Sequence, residues 1–438
     1  MILAHGVGGR ADLPLPVWLF AYSAAFALAI SFVALRILWH RPLLARAAEG
    51  NTVPGPLDSA VRGVGLIGQI GVLALFALTL AAAWFGVDSV AFNLAPTALY
   101  VVFWVGLQVA SALLGDVWRR INPLWTLAAM IERLRGYDPE TSTATRWWAS
   151  HWPAAAGLAA FLWLELAFHQ PASLIAVAVF LILYTGAMLT AASTFGAAWL
   201  RTGDGFAVLF TLLAALSPLY RDDQGQLRVR IPGSGLATVE PRPGTMAVIL
   251  LVLGATSFDG VARTQWWADI VGTRRDWALT TVNTLGMATT IAVVAAAFLG
   301  ASRLIGVLAD DDTDLLEQAR RWAPSLIPIV LAYSIAHYFS LLVFEGQSFL
   351  RLLSDPLGEG WNLFGTADRA IDYTAVSANQ IAYVQVAAIV IGHIGGVVAA
   401  HDRAIERYHG PTASTSQYPL LAAMIAYTVS GLLLLLNA

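Results

Sequence analysis

Long apolar runs, each closed by arginine, glycine or proline, follow one another along almost the whole chain. Runs that can cross a bilayer fall at about 16–37, 64–86, 95–114, 153–170, 172–195, 244–262, 279–300, 325–345, 378–400 and 419–437. This pattern predicts an all-α, polytopic transmembrane helix bundle of about ten spans. The run Gly205–Pro218 is apolar but shorter than a crossing needs, so it is expected to be interfacial or re-entrant. Residues 1–438 then form a single integral membrane domain. Its connections are an amphipathic segment over 115–151, a turn-rich hairpin over 221–243 and a larger loop over 346–377. Trp118, Trp125, Trp147, Trp148 and Trp152 are expected at headgroup level. The first residues, MILAHGVGGRADLPLP, lack a basic stretch ahead of an apolar one, so a mature tail is expected there rather than a signal peptide.

Composition agrees with this. Hydrophobic residues are 58% of the chain and charged ones 12%, against about 25% charged in soluble domains. All 25 basic residues are arginine, and most fall on one side if the N- and C-termini both face out (N-out and C-out). The loops at 115–151 and 221–243 are then inner, and 346–377 is outer. There is no cysteine, which excludes disulfides and thiolate sites, and no lysine, which excludes Schiff-base chemistry. Any metal would be held mainly by His, Asp or Glu.

An ionisable group inside a span is costly and therefore a functional candidate. Glu165 and His169 are four residues apart, which places both on one face if the helix runs through them. Together they could hold a metal ion, or form a plain helix end with a snorkelling carboxylate. Asp259 lies in SFDG (257–260). It either faces a cavity or sits at an ordinary helix end capped by Gly260. His337, flanked by Tyr333 and Ser340, lies mid-span and should face the bundle interior, with Glu345 about 12 Å further along the axis. His393 follows Gly392 and precedes Gly395 and Gly396, small residues that let another helix approach. Asn379 lies near its face. A histidine satisfied by a neighbouring helix is the alternative for both His337 and His393. His401 and Asp402 are expected at the interface. His5 is expected in a mobile tail. The acidic run Asp310-Asp311-Asp312, with Asp314 and Glu317, does not match an EF-hand and is expected to be a solvated helix start. There is no Walker A, Gly-x-Ser-x-Gly or His-Glu-x-x-His motif. Nothing points to nucleic acid.

The stretch AHGVGGRADLPLPVWLFAYSAAFAL resembles bacterial membrane proteins identified as fenitrothion hydrolases, as do SFDG (257–260), AHYFSLLVFEGQSF (336–349) and HIGGVVAAHDRA (393–404). The resemblance covers most of the chain and implies an organophosphate triester hydrolase of the bacterial plasma (inner) membrane. No catalytic residues carry over from it. The residues allow that chemistry through a divalent metal ion that activates water and polarises P=O. His337 and His393 would be metal ligands, Asp259 a ligand or bridge to the water, Glu345 the base, and Glu165 with His169 second choices as ligands. The expected partners are membrane lipid and a small apolar substrate, with room for a partner membrane subunit. Two other readings stand beside it: a proton- or metal-coupled transporter using the same groups, and a non-catalytic subunit whose polar residues only hold helices together.

Overall fold

The computed structural model describes residues 17–436, so His5 and the Gly6–Gly9 stretch lie outside the described residues. The architecture is an all-α helical bundle. We number its principal helices α1 (Val17–Leu38), α2 (Gly55–Phe85), α3 (Leu94–Leu114), α4 (Trp118–Ile121), α5 (Pro123–Leu134), α6 (Trp152–Leu166), α7 (Leu174–Phe195) and α8 (Gly205–Ala214). They continue as α9 (Thr245–Ala262), α10 (Asp276–Ala309), α11 (Leu315–Trp322), α12 (Ile327–Ser354), α13 (Ala378–Arg407) and α14 (Tyr418–Leu436). Among the described residues, nine helices are long and apolar enough to cross a membrane.

The tenth expected span, 153–170, is shorter in the structure. Helix α6 stops at Leu166 after 15 residues, about 22 Å of rise. Pro171 would in any case bar the helix from continuing past residue 169, and the backbone has already left it at Ala167. Helix α6 starts, and α7 ends, beside the same connecting segment. His151 N donates to Pro243 O, and Thr143 N donates to Phe195 O. The pair therefore runs out and back. Helix α8 does not cross. Its N-terminal Gly205 packs on Ala154 at the start of α6, while Ser217 beyond its other end donates to Leu113 O at the end of α3. Both contacts flank the 115–151 segment, so the chain enters and leaves on one side. Asp204 starts α8 by accepting from Phe206 N.

Residues 346–354 belong to helix rather than loop. GQSFLRLLS continues α12, and the connection is 355–377. Ser377 and Gln380 form a reciprocal capping box that sets the start of α13. The expected hairpin is present, slightly earlier than anticipated. Strands β2 (Leu219–Arg221) and β3 (Leu227–Val229) pair antiparallel, and β1 (Asn51–Thr52) adds to the other edge of β3, giving the order β1-β3-β2. This sheet marks one side of the bundle, called here the sheet side.

Burial sorts the helices. The apolar window of α9 is 72% buried and that of α2 only 6%, so α9 is central and α2 presents its flank to lipid. The contact between α12 and α13 is made close by small residues. A Cβ at Gly392 would fall 2.7 Å from Pro328 O, and one at Gly396 would fall 2.8 Å from Ser325 O.

Several polar groups on the sheet side differ from expectation. His401 and Asp402 are buried, not interfacial. Asp402 Oδ1 accepts from Trp39 Nε1 (3.0 Å), Leu43 N (2.7 Å) and Leu44 N (3.4 Å). His401 bridges Gln417 Oε1 and Trp39 O, each at 3.0 Å. The acidic run is only partly a solvated helix start. Asp314 caps α11, but the Asp311 carboxyl is nearly covered and meets Tyr408 Oη (2.8 Å), Arg407 (3.4 Å) and Arg321 (3.5 Å). Burial pushes the Asp311 carboxyl up, but its bonds from Thr313 and Tyr408 and the Arg407 charge outweigh this and bring it down to about 2. Trp118 is buried rather than at headgroup level, whereas Trp147, Trp148 and Trp152 are exposed.

Candidate functional site

On the side opposite the sheet, three helices bring ionisable groups to one place. Helix α9 carries Asp259 and, one turn on, Arg263. Helix α12 carries His337 and Tyr338, and α6 carries Glu165 near its end. Asp259 lies in the last turn of α9, but the helix runs on to Ala262, so Gly260 is inside it rather than its cap and packs against the Tyr333 hydroxyl. His337 is 5% exposed and Asp259 8% exposed, so both lie inside the bundle.

His337 Nε2 contacts Asp259 Oδ2. The Arg263 guanidinium lies 2.7 Å from the same Nε2 and 3.5 Å from the same Oδ2. Tyr333 stacks on the His337 ring at 5.9 Å with 15° between planes, and Tyr338 meets it edge-on at 4.7 Å. Tyr338 Oη donates to Glu165 Oε1 at 2.8 Å, and Glu165 is near enough to Asp259 for their charges to interact. The five groups form one continuous polar cluster.

Its centre holds a conflict. A carboxylate beside Nε2 requires that nitrogen to donate a proton, while a guanidinium beside it requires it to accept one. One ring nitrogen cannot do both. If Nε2 carries the proton, Arg263 faces an N–H. If it does not, Asp259 faces a lone pair. An oxyanion on Arg263 would take up the guanidinium and leave His337 bonded to Asp259.

The other sequence candidates lie apart. His169 does not share a helix face with Glu165, because α6 ends three residues before it. Its Nδ1 is instead 2.8 Å from Thr280 Oγ1 on α10, and its backbone N–H donates to the same hydroxyl. His393 is buried, with Nδ1 on Ile389 O at 2.8 Å and its ring 5.9 Å from that of Tyr427. The Tyr427 hydroxyl in turn bonds Ser257 on α9 at 2.7 Å, so His393 adjoins the helix that carries Asp259 without touching the cluster through a hydrogen bond of its own. Asn379 is exposed, and the buried polar residue between it and His393 is Gln385. Glu345 is half-buried two turns beyond His337 on α12. The sequence reading missed Arg263 as part of the site, although its i, i+4 spacing from Asp259 is that of a helix ion pair. It also missed Tyr338, which only the orientation of α6 reveals.

The divalent ion expected here can be tested against the donors. His337 Nε2 and Asp259 Oδ2 face one point, but the Arg263 cation stands beside both. Among the described residues, no group of three His, Asp or Glu side chains could hold a metal. These donors alone do not make a metal site.

Comparisons of the chain with family models, with curated proteins and with solved structures each give no match.

Proposed function

We propose that this protein is a multi-pass membrane hydrolase acting on a lipid-soluble ester, with Glu165, Asp259, Arg263, His337 and Tyr338 as its site. The observation that carries this is the convergence of α6, α9 and α12 on one buried polar cluster. A transporter path would instead need polar groups at successive depths in contact. His393 reaches α9 only through the Tyr427 hydroxyl on Ser257, and the sheet-side residues make contacts of their own.

The substrate class proposed is the organophosphate triester that the family resemblance implies. Such a substrate partitions into lipid and could reach a site within the bundle. Its phosphoryl oxygen accepts from Arg263, which stabilises the charge that develops on it. The His337–Asp259 pair takes the proton from the attacking water. The water oxygen bonds to phosphorus, the P–O bond to the aryl group breaks, and the aryloxide leaves with the bonding pair. A nitrophenoxide is stable enough to leave unprotonated, so Glu165 and Tyr338 need only hold the pair in place. The proposed location is the bacterial plasma membrane.

The test is hydrolysis of fenitrothion by detergent-purified protein, run with metal analysis on the same sample. Turnover that falls at least ~100-fold in His337→Gln and Arg263→Gln supports the proposal. Stoichiometric metal that disappears in His337→Ala would move the water onto a metal ion. No turnover, with or without added Zn²⁺, Mn²⁺ or Co²⁺, would sink the hydrolase reading in favour of proton flux in vesicles.

A further inference from the structure

A cavity lies between α2, α3, α4, α7 and α8 and reaches α4 on the sheet side of the bundle. Its volume is about 150 Å³, and its walls are almost wholly apolar, with Val72, Leu75, Phe103, Trp118, Ile121 and Phe206 among them. Of the few polar groups that line it, the hydroxyl of Tyr184 and the carboxylate of Asp204 are bonded to each other at 2.6 Å, and the Thr79 hydroxyl donates to Leu75 O at 2.8 Å. Water needs two to four polar partners to occupy a cavity, and these walls do not supply them. An apolar cavity of about this size stays dry and takes a benzene-sized group. The medium next to it is hydrocarbon, because α2 is almost entirely unburied by protein.

The backbone of the cavity wall is itself unusual. Residues Thr97–Gly106 of α3 form a π-helix, a form that is rare beyond a single turn and found mostly at functional sites. Its wide turns put Phe103 into the cavity while Trp104 packs away from it on Phe161 at 4.8 Å.

Charge lies next to the wall in sequence. The short helix α4 supplies Trp118 and Ile121 to the wall and carries Arg119 and Arg120 between them. The Arg120 stem lies along α2 beside Gly65, 3.9 Å from where a Cβ would stand. Neither arginine is ion-paired among the described residues. Asp116, the nearest carboxylate in sequence, is turned to the Arg119 backbone N–H (3.1 Å) and the Thr211 hydroxyl (2.7 Å).

We propose that this cavity is a binding site for one anionic phospholipid, with an acyl chain between α2 and the π-helix and the phosphate on Arg119 and Arg120. One short helix carries both wall residues and two cations, Arg119 exposed and Arg120 half-buried, which is the pairing of apolar surface and positive charge that an anionic lipid needs.

Trp118 gives the readout. It is only 5% exposed, so bulk lipid around the bundle does not reach it. The protein is placed in phosphatidylcholine vesicles containing phosphatidylglycerol with dibrominated acyl chains. The Trp118 emission is the difference between wild type and Trp118→Phe. The expected result is quenching of at least half of that component. Arg119→Gln with Arg120→Gln should raise the phosphatidylglycerol fraction needed by about tenfold, or ~1.4 kcal/mol. Val72→Phe, which fills the cavity, should abolish quenching. Should Val72→Phe fail to elute as folded protein, the arginine pair decides alone. An unquenched Trp118 overturns the proposal. So does quenching that is equal with brominated phosphatidylcholine, or that survives both sets of variants.

Discussion

The two ends of this bundle bury similar residues in opposite ways. On the sheet side, Asp402 accepts two backbone N–H groups and an indole N–H, and His401 ties a carbonyl of one segment to a side chain of another. These residues fasten the segment after α1 to α13 and the start of α14. On the opposite side, Asp259, Arg263 and His337 contact one another through side-chain atoms at a single point, and their demands conflict. A carboxylate that accepts from backbone donors is part of the scaffold. A carboxylate and an arginine that make opposite demands on one histidine nitrogen form a place where a guest can change the balance. Burial and residue type alone do not distinguish the two.

The contrast breaks most decisively at the site. Arg263→Gln and His337→Gln should each lower turnover by about 100-fold or more, measured on a nitrophenyl phosphotriester, while thermal unfolding in detergent stays cooperative. On the sheet side the effect moves to stability. Asp402→Ala leaves buried donors on Trp39 and Leu43 unpaired and should cost on the order of 2–4 kcal/mol, read as a lower midpoint of thermal unfolding. Next in size is Gly392→Leu. Its side chain meets Pro328 O and Ala332 on α12, a crowding worth about 1–3 kcal/mol, and the same unfolding measurement checks it.

Two pH effects sharpen the comparison further. Asp311 titrates at about 2 in the folded protein, below the ordinary aspartate value near 3.9. Its stabilisation is therefore present above about 3.9 and lost as pH falls through about 2. Asp311→Asn should flatten that part of the stability profile. His151, half-buried at the start of α6 with Nδ1 on Thr245 Oγ1 at 2.8 Å, is pushed down to about 4, first by burial and then by the Arg242 charge. The unfolded chain binds its proton at higher pH than the folded one, so stability should fall as pH drops from about 6.5 to 4. His151→Gln should remove this small slope, visible in unfolding midpoints across that range.

Much of the fold was legible in the sequence because spanning length is a coarse and robust signal. The boundaries of α1, α7 and α9 follow their apolar runs closely. Where the reading departed, local chemistry had the stronger say. The Glu165–His169 spacing implied a shared face only if the helix persisted, and it ends at Leu166. GQSFLRLLS falls in the expected loop over 346–377, yet it lies on a helix whose hydrogen bonds continue through it. For the site, Glu165, Asp259 and His337 were visible as costly residues at similar depth. Their contact was not, since it depends on how α6, α9 and α12 cross. Arg263 was hidden for another reason: an arginine just past an apolar run looks like a topology signal, and only the contact with His337 gives it a second role. The π-helix in α3 has no sequence signature in TALYVVFWVG that separates it from an ordinary span.

The most direct test of this account pairs Asp259→Asn with Asp402→Asn and measures both turnover and unfolding midpoint for each. The predicted result is a crossed pattern: Asp259→Asn loses turnover and keeps most of its stability, while Asp402→Asn loses stability and, below its midpoint, keeps turnover. Two variants that lose stability alike, with turnover following it in both, would contradict the account and make the Asp259–Arg263–His337 cluster one more fastening of the bundle.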